Sequence, residues 1–294
     1  MALSDLQSFD NLKFNQEISH LFSYKTGGKV KGYIEVSSLV ELRNFLEILE
    51  ENKLKYKILG NGSNILLSDK GFDGYIISLK NISTINQISD LDVKVGAGAL
   101  LNNFISYLVN HNLSGLEELT CIPATIGGAI YMNAGAFNRE ISNNLTCVEL
   151  LKKGKIIKLD PFDCGFSYRK SNFSKDEIII SASFTLKYDN KETILSKQKG
   201  VIKLRNAVQP KGRTCGSVFK NLQSIPVAKL IDEAGLKGYR IGGAFVSNKH
   251  ANFIIAEEGC TSSDIYQLIL HIKRKIYSFY KINVQEEIEY LGEF

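Results

Sequence analysis

Residues 123–136 read Pro-Ala-Thr-Ile-Gly-Gly-Ala-Ile-Tyr-Met-Asn-Ala-Gly-Ala, and they decide the predicted fold. Seven of these fourteen residues are Gly or Ala, and they surround two polar side chains, Thr125 and Asn133. Small residues let the backbone approach a ligand closely, and backbone N–H groups in turns gather around anions. The stretch therefore predicts contact with a large, flat ligand.

A second glycine-rich stretch lies upstream. Residues 60–64 read Gly-Asn-Gly-Ser-Asn and follow a predicted strand at 56–59. The spacing differs from G-x-G-x-x-G and no convincing helix follows, so neither a Rossmann fingerprint nor a P-loop is present. Taken alone, the stretch is equally typical of a tight turn between strands. Together with residues 123–136, it indicates one pyrophosphate-bearing cofactor that is held at two places.

Length and composition indicate a globular, enzyme-sized protein with two or three compact units, since the chain has 294 residues. Its net charge of +5 is spread among interspersed acids, a pattern too diffuse for nucleic-acid binding but compatible with phosphorylated small ligands. No apolar run approaches the roughly 20 residues of a membrane span, and no signal peptide is predicted. Five scattered cysteines favour a reducing cytoplasm, and no metal site is predicted.

The first two thirds of the chain predict two α+β units, at about residues 20–80 and 81–195. The first contains a helix capped by Ser38 and Glu41, with apolar residues at helical spacing. The second ends in strands that include a hairpin at 146–159. A lysine-rich helical stretch at 187–206 then changes the composition, so a domain boundary is predicted near residue 195.

The C-terminal lobe predicts a long helix at 264–280, capped by Thr261, and a final alternating strand. The predicted apolar face of the helix comprises Ile265, Leu268, Ile269, Ile272, Ile276 and Phe279. In the final strand, Val284, Ile288 and Tyr290 share one side, whereas Glu287 lies on the polar side, which by pattern alone is typical of an exposed edge.

Three loop residues could carry chemistry. Arg169, in Phe-Ser-Tyr-Arg-Lys-Ser at 166–171, could bind a carboxylate or phosphate, or could pack its stem on Tyr168. Ser217 lacks a G-x-S-x-G elbow, so it is not predicted to be a hydrolase nucleophile; it is either a proton donor near a basic group or part of a solvated turn. His250 precedes a predicted strand, where it could bind a ligand or face solvent.

Seven stretches, in order and spacing, resemble the UDP-N-acetylenolpyruvoylglucosamine reductase family of bacterial peptidoglycan synthesis. The resemblance extends from about residue 20 to the C-terminus. The stretches are residues 59–67, 122–137, 166–171, 216–221, 234–238, 241–244 and 247–253.

The resemblance implies an α+β protein with an FAD-binding domain of the vanillyl-alcohol-oxidase (PCMH) type at 1–195, in two subdomains, and an α+β substrate-binding domain at 196–294. It implies an oxidoreductase in which hydride passes from the co-substrate NADPH, through non-covalently bound FAD, to UDP-N-acetylglucosamine enolpyruvate, which yields UDP-N-acetylmuramate. The expected partners are these small molecules, without nucleic acid or membrane, and the expected state is a cytoplasmic monomer.

The same resemblance implies roles for individual residues. Arg169 and Glu287 assist the reaction intermediate, and Ser217 delivers a proton. The implied FAD-binding residues are Gly60, Asn61, Gly62, Ser63, Asn64, Thr125, Gly127, Gly128, Ala129, Asn133 and Gly135. The implied substrate-binding residues are Tyr168, Lys220, Asn221 and His250.

The chain departs from the family pattern in a few places. Ala124 and Cys121 stand where glycine is usual, and Leu222 stands where proline usually follows Lys-Asn. The short segment between Arg169 and Ser217 resembles the second type of the family, which lacks an extra tyrosine loop over the substrate.

Two other functions fit parts of the sequence. A different flavoprotein oxidase or dehydrogenase of the same superfold, acting on a hydroxy acid or sugar lactone, would share the glycine-rich stretches but has no reason to keep residues 216–221 or 247–253. An inactive UDP-sugar-binding module would be expected to lose Arg169, Ser217 or Glu287, and all three are present.

Overall fold

The structure is a computed structural model and describes residues 5–294. In chain order its α-helices and strands are β1 (Lys13–Glu17), β2 (Lys29–Glu35), α1 (Leu39–Glu51), β3 (Tyr56–Leu59), β4 (Ile65–Leu67), β5 (Phe72–Ser78), β6 (Ile85–Gln87), β7 (Asp92–Gly96), α2 (Leu101–Asn110), β8 (Leu113–Ser114), α3 (Ile126–Tyr131), β9 (Gly135–Ala136), β10 (Arg139–Glu140), β11 (Leu145–Lys152), β12 (Lys155–Leu159), β13 (Ile178–Thr185), β14 (Lys187–Tyr188), α4 (Lys191–Val208), α5 (Val227–Glu233), β15 (Arg240–Ile241), β16 (Ala244–Val246), β17 (Ile254–Ala256), α6 (Ser262–Tyr280) and β18 (Glu289–Leu291). Short 3-10 helices lie at Ser19–Leu21, Glu117–Leu119, Ile141–Asn144 and Pro161–Cys164.

The chain forms two compact units that are not consecutive in sequence. Within the described residues, unit 1 comprises 5–13, Gly32–Asn61 and Gly74–Leu204. Unit 2 comprises Phe14–Lys31, Gly62–Asp73 and Arg205–Phe294. The C-terminal third therefore shares its unit with two short stretches from the first quarter of the chain. The domains expected from the sequence, 1–195 and 196–294, stay a prediction.

Unit 1 contains two larger sheets and two pairs of short strands, β8–β14 and β9–β10. In the first larger sheet, the strands that lie mainly in unit 1 follow the order β2–β5–β3, with β3 and β5 parallel. In the other, all five strands are antiparallel in the order β12–β11–β13–β7–β6, and β11 and β12 form the predicted hairpin. Helix α1 begins as predicted, because Ser38 Oγ accepts a hydrogen bond from the Glu41 N–H at 3.1 Å. Its apolar face is buried, as is that of α2.

Unit 2 is organised around helix α6. The Thr261 and Asp264 side chains form the predicted capping box, and the helix buries five of the six predicted apolar residues. The prediction for Phe279 is wrong, because this side chain, in the last turn, is 61% exposed. Two small sheets accompany the helix: antiparallel β15–β16–β17, and β4 paired in parallel with β18.

The final strand is shorter than predicted. Regular pairing begins only at Glu289, whereas residues 285–287 bond through single backbone contacts to another segment. Val284 and Ile288 are buried, whereas Tyr290 is 36% exposed. The segment changes its hydrogen-bonding partner between the Glu287 N–H, which binds the Val218 carbonyl, and the Glu289 N–H, which binds the Asn64 carbonyl.

Between residues 5 and 294, no helix combines the length and the apolar composition needed to cross a membrane.

Candidate active site

The glycine-rich residues 123–136 contain the short helix α3, in unit 1. Thr125 precedes the helix, and its Oγ1 accepts a hydrogen bond from the Gly128 N–H at 3.3 Å. The Ile126 N–H donates to the Ala99 carbonyl and the Gly127 N–H donates to the Ala97 carbonyl, both at 2.8 Å. The first three helical N–H groups thus already have partners, so they are available to an anion only if these bonds change. The glycines here allow a ligand to come close to the backbone, but they do not provide free hydrogen-bond donors.

Part of the first glycine-rich stretch lies directly against the second within unit 1. A Cβ at Gly60 would lie 2.7 Å from Thr125 Oγ1, and Asn61 Nδ2 donates to the Pro123 carbonyl at 2.9 Å. A Cβ at Gly128 would meet only Thr125 Oγ1, at 3.4 Å. Gly60, Thr125 and Gly128 therefore pack together as a small-residue surface, in which the two glycines are partly exposed and Thr125 is buried.

Asn133 follows α3 and binds the loop that carries Arg169. It is fully buried, and its Nδ2 donates to Glu140 Oε2 at 2.7 Å and to the Ser167 carbonyl at 3.0 Å. Its Oδ1 is buried and has no hydrogen-bond partner within residues 5–294. An unpaired buried amide oxygen is uncommon, so this atom is a candidate acceptor for a ligand group.

Arg169 packs on Tyr168, one of the two alternatives that the sequence offered, and it also binds a backbone carbonyl. Its Nη2 donates to the Gly135 carbonyl at 2.6 Å, and its guanidinium lies 4.9 Å from the centre of the Tyr168 ring. The residue has a left-handed φ of 53°, and the turn around it is closed by mutual backbone hydrogen bonds between Ser167 and Lys170. The guanidinium is thus fixed by a carbonyl and an aromatic face, and Tyr168 is 46% exposed.

The other residues of the first glycine-rich stretch belong to unit 2. Gly62 has a φ of 62°, and a Cβ there would collide with the Leu21 carbonyl, so this position requires glycine. Ser63 is partly buried. Asn64 Nδ2 donates to the Glu287 carbonyl at 2.9 Å, and the Asn64 carbonyl accepts from the Glu289 N–H at 2.9 Å. Asn64 therefore fixes the backbone of Glu287.

Ser217 lies in an extended segment between two others in unit 2. The Val218 N–H donates to the Asn252 carbonyl at 2.8 Å, and the Val218 carbonyl accepts from the Glu287 N–H at 2.8 Å. Ser217 forms a β-bridge with Phe253. Unit 2 therefore brings the predicted Ser217 and Glu287 onto adjacent segments. Glu287 is partly buried, so the interpretation of it as an exposed edge is wrong.

The predicted substrate-binding residues of unit 2 flank this segment. The Lys220 N–H donates to the Gln285 carbonyl at 2.9 Å, and Asn221 Oδ1 accepts from the Val227 N–H at the start of α5, at 3.1 Å. The His250 ring lies 4.7 Å from the Phe253 ring. Burial lowers the pKa of His250 below its ordinary 6.5, so its imidazole is neutral at pH 7.

Two residues of this region were missed by sequence reasoning. Asn252 is buried and binds the backbone of Phe219 through its side chain, and Glu140 accepts the hydrogen bond from Asn133. A polar residue between the apolar Ala251 and Phe253 was the available signal for Asn252. Nothing local marks Glu140, because its partner is defined only by the fold. Between residues 5 and 294, no group of three or more His, Cys, Asp or Glu side chains could hold a metal ion.

Comparisons with known proteins cover both units. A family model described as the C-terminal domain of UDP-N-acetylenolpyruvoylglucosamine reductase matches residues 209–291, and a model described as an FAD binding domain matches residues 30–160. A protein from Carboxydothermus hydrogenoformans named UDP-N-acetylenolpyruvoylglucosamine reductase is 39% identical over 282 residues, which are 95% of this chain and 93% of that protein. The chain belongs to the UDP-N-acetylenolpyruvoylglucosamine reductase family.

Solved structures agree with this family. The reductase from Thermus caldophilus superposes with a TM-score of 0.83 at 31% identity, over 96% of this chain and 98% of that chain. A wild-type glucose dehydrogenase, Phl p 4.0202, has a TM-score of 0.51 at 13% identity, over 65% of this chain and 44% of that chain, which shows the fold alone. The predicted fold class, an FAD-binding domain of the vanillyl-alcohol-oxidase type with a further α+β domain, is confirmed.

The residues of unit 1 fit FAD, the cofactor that the FAD binding domain model indicates. The bare backbone at Gly60 and Gly128 allows a flat group to approach, and Asn133 Oδ1 is a buried acceptor without a partner in the described part of the chain.

Proposed function

We propose that this protein reduces the enolpyruvyl group of UDP-N-acetylglucosamine enolpyruvate, with NADPH as the electron donor, to the lactyl ether of UDP-N-acetylmuramate. The observation that carries the proposal is the similarity to reductases of this family over 95% of the chain, which includes both compact units. This reaction supplies a precursor of peptidoglycan.

When bound, FAD would supply the chemistry that moves a hydride from NADPH to the terminal carbon of the enolpyruvyl group. We assign FAD binding to the residues of the small-residue surface and to residues near them in sequence. They are Gly60, Asn61, Gly62, Ser63, Asn64, Thr125, Gly127, Gly128, Ala129, Asn133 and Gly135. In the same proposal, residues 1–195 form the FAD-binding domain, with subdomains at about 20–80 and 81–195, and residues 196–294 form the substrate-binding domain.

Addition of hydride leaves negative charge next to the substrate carboxylate, so the site must stabilise an anion and supply a proton. Arg169 suits the first task, because a guanidinium can bind two anionic oxygens at once and its position is supported by Gly135 and Tyr168. Glu287 assists at the same stage. Ser217 gives the proton to the carbon next to the carboxylate, and its backbone is held between two neighbouring segments.

The remaining polar residues suit the nucleotide part of the substrate. The Lys220 ammonium is a compact cation of the kind that binds phosphate. The neutral His250 ring accepts from the Asn252 N–H at Nδ1, at 3.3 Å, so its Nε2–H can donate one hydrogen bond without adding charge. Asn221 and Tyr168 offer an amide and a partly exposed aromatic face. Because NADPH and nucleotide sugars are cytoplasmic metabolites, we assign the activity to the cytoplasm, to a monomer that requires neither nucleic acid nor a membrane.

The proposal is tested on purified protein under anaerobic conditions. The protein is expected to be yellow, to lose its flavin absorbance on addition of NADPH, and to regain it when the enolpyruvyl nucleotide is added. A protein that is bleached by NADPH and stays bleached with the nucleotide, or that binds no flavin, would contradict the proposal. Dioxygen consumption with hydroxy acids or sugar lactones would instead favour an oxidase.

Ser217→Ala provides the more specific test. We expect this variant to bind FAD and to be reduced by NADPH at nearly the normal rate, since Ser217 acts only in the half-reaction with the nucleotide, where hydride addition is coupled to protonation. Its reoxidation by the nucleotide should slow by about a hundredfold or more, the usual scale for a positioned acid. Ser217→Cys should keep partial activity, because a thiol can still give a proton. Stopped-flow absorbance separates the two steps, and an alanine variant that reoxidises normally would exclude Ser217 from the mechanism.

A further inference from the structure

Asn252 makes an unusual pair of hydrogen bonds with one residue of the Ser217 segment. Its side chain is only 2% exposed. Its Oδ1 accepts a hydrogen bond from the Phe219 N–H at 2.9 Å, and its Nδ2 donates to the Phe219 carbonyl at 2.8 Å. Both halves of the amide are therefore used on the backbone of Phe219. An amide carries an acceptor and a donor side by side, so it can bind both backbone groups of one residue as a neighbouring strand would.

We infer that Asn252 is a positioning residue for Ser217. The segment enters through Gly216, which has a φ of 81° and no side chain to pack; its N–H donates to Thr214 Oγ1 at 3.3 Å, and the preceding Cys215 packs against the core. Beyond Ser217, the Asn252 carbonyl binds the Val218 N–H and the Asn252 side chain binds Phe219. One residue thus holds the two positions that follow Ser217, while Glu287 holds the opposite side of Val218.

The chemistry requires an amide at this position. An ionised aspartate accepts from the Phe219 N–H but cannot donate to the Phe219 carbonyl, and it places a second oxygen next to that carbonyl. Alanine removes both bonds and leaves two buried backbone groups without partners. Either change should allow the segment to shift, and a displacement of about 1 Å at a reacting group can reduce a rate by up to about a hundredfold. The inference rests on the proposed role of Ser217.

The test uses the flavin-loaded protein and four forms: wild type, Asn252→Ala, Ser217→Ala and the double variant. Asn252→Asp is a second single variant that keeps the shape of the side chain. Asn144→Ala is the matched control, because its Nδ2 also donates to a backbone carbonyl, that of Thr185 at 3.1 Å, but it is not among the predicted site residues. Stopped-flow absorbance gives the rate of flavin reduction by NADPH and of reoxidation by the enolpyruvyl nucleotide.

We expect Asn252→Ala and Asn252→Asp to slow reoxidation by about tenfold or more, with flavin content and reduction by NADPH within about twofold of wild type. In the Ser217→Ala background, Asn252→Ala should change reoxidation by less than about twofold, because two residues that act through one step are not additive. The control should leave both rates within about twofold. Equal effects of Asn252→Ala in both backgrounds would overturn the inference.

Amide hydrogen exchange provides a readout that does not depend on activity. Asn252→Ala should accelerate exchange of residues 217–220 by about tenfold or more, while residues 265–276 of α6 keep their protection. Unchanged exchange at 217–220 would overturn the inference. If wild type is not reoxidised by the nucleotide, the proposed function fails, and the exchange measurement alone then decides whether Asn252 holds the segment.

Discussion

At the scale of the residue, Arg169 is a loop side chain that is restricted on two sides. Its guanidinium donates to the Gly135 carbonyl and lies over the Tyr168 ring. A lysine ammonium has the same charge but cannot reproduce the planar fork. We therefore expect Arg169→Lys to lower turnover by about a hundredfold, as the loss of a donor to a developing anion does, with little change in flavin content. Steady-state turnover and the ratio of flavin to protein absorbance measure the two effects.

The neighbouring Lys170→Arg is the control for this substitution. Lys170 is exposed and its described hydrogen bonds are those of its backbone to Ser167, so turnover should stay within about twofold. Turnover of Arg169→Lys close to that of wild type would show that charge alone suffices, and the role proposed for the guanidinium would be wrong.

Cys121, where the family usually has glycine, is a second residue with a consequence of its own. It is exposed, with a left-handed φ of 69°, and its N–H donates to Asn102 Oδ1 at 2.8 Å, a bond that glycine would keep. A residue with a side chain in this conformation is destabilised by about 1–2 kcal/mol. Glycine removes this strain, but its unfolded chain has more conformational entropy, which offsets part of the gain. We expect Cys121→Gly to raise the free energy of unfolding by about 0.5–1 kcal/mol, measured by urea denaturation.

Lys203→Gly is the matched control, since Lys203 is also exposed but lies inside helix α4. Glycine there should lower the free energy of unfolding by about 1 kcal/mol. Equal destabilisation by both substitutions would show that the conformation at Cys121 is not strained.

At the scale of the element, two N–H groups at the start of helix α6 find their hydrogen-bond acceptor in a distant loop. The Asp69 carboxylate accepts hydrogen bonds from the Ser262 and Ser263 N–H groups, each at 2.8 Å, and so satisfies two donors that the helix cannot satisfy itself. The negative charge also complements the helix dipole. We expect Asp69→Ala to lower the free energy of unfolding by about 1 kcal/mol at neutral pH, measured by urea denaturation.

The effect of Asp69 should depend on pH. Burial alone would raise the pKa of this carboxyl, but the hydrogen bonds from Ser262 and Ser263 outweigh burial and hold the pKa below its ordinary 3.8. Because the folded pKa lies below the unfolded one, the stabilisation is complete well above 3.8 and is lost as the pH falls below 3.8 through the folded pKa. The difference between wild type and Asp69→Ala should therefore be smaller at about pH 3 than at about pH 7.

Asp73→Ala is the control for this series. Asp73 is an exposed aspartate whose ion pair with Lys31 has a separation of 3.7 Å, and such surface pairs contribute less than about 1 kcal/mol. A loss of stability in Asp69→Ala that is the same at both pH values would contradict the role of the ionised carboxylate.

At the scale of the whole molecule, the flavin should be bound tightly but without a covalent bond. The glycine-rich stretches at 60–64 and 123–136 contain no histidine, and Cys121 has no charged neighbour in sequence that would activate its thiol. Acid precipitation of the yellow protein should therefore release all of the colour into the supernatant. Colour that stays with the pellet would contradict this prediction.

The sequence by itself determined the local elements and the family. The capping box of α6, the cap of α1 and the hairpin of β11 and β12 depend on residues a few positions apart, so their periodicity and capping residues are visible in the chain. The motifs that identify the family are likewise short runs whose order survives in the sequence. For the same reason, Arg169 and Ser217, which lie in two of these runs, are indicated by the sequence itself, whereas Glu287 is indicated only by the resemblance as a whole.

Only the tertiary structure decided which groups these residues meet. The N–H groups at the start of α3 bind the carbonyls of Ala97 and Ala99, and Asn252 binds Phe219, 33 positions away in sequence. Tertiary packing also left Phe279 exposed, although its spacing matched that of the buried face of α6. Hydrogen bonds and burial of this kind depend on segments that are distant in sequence. The local sequence pattern predicts the secondary structure of a segment, but it does not predict which other segments that one will contact.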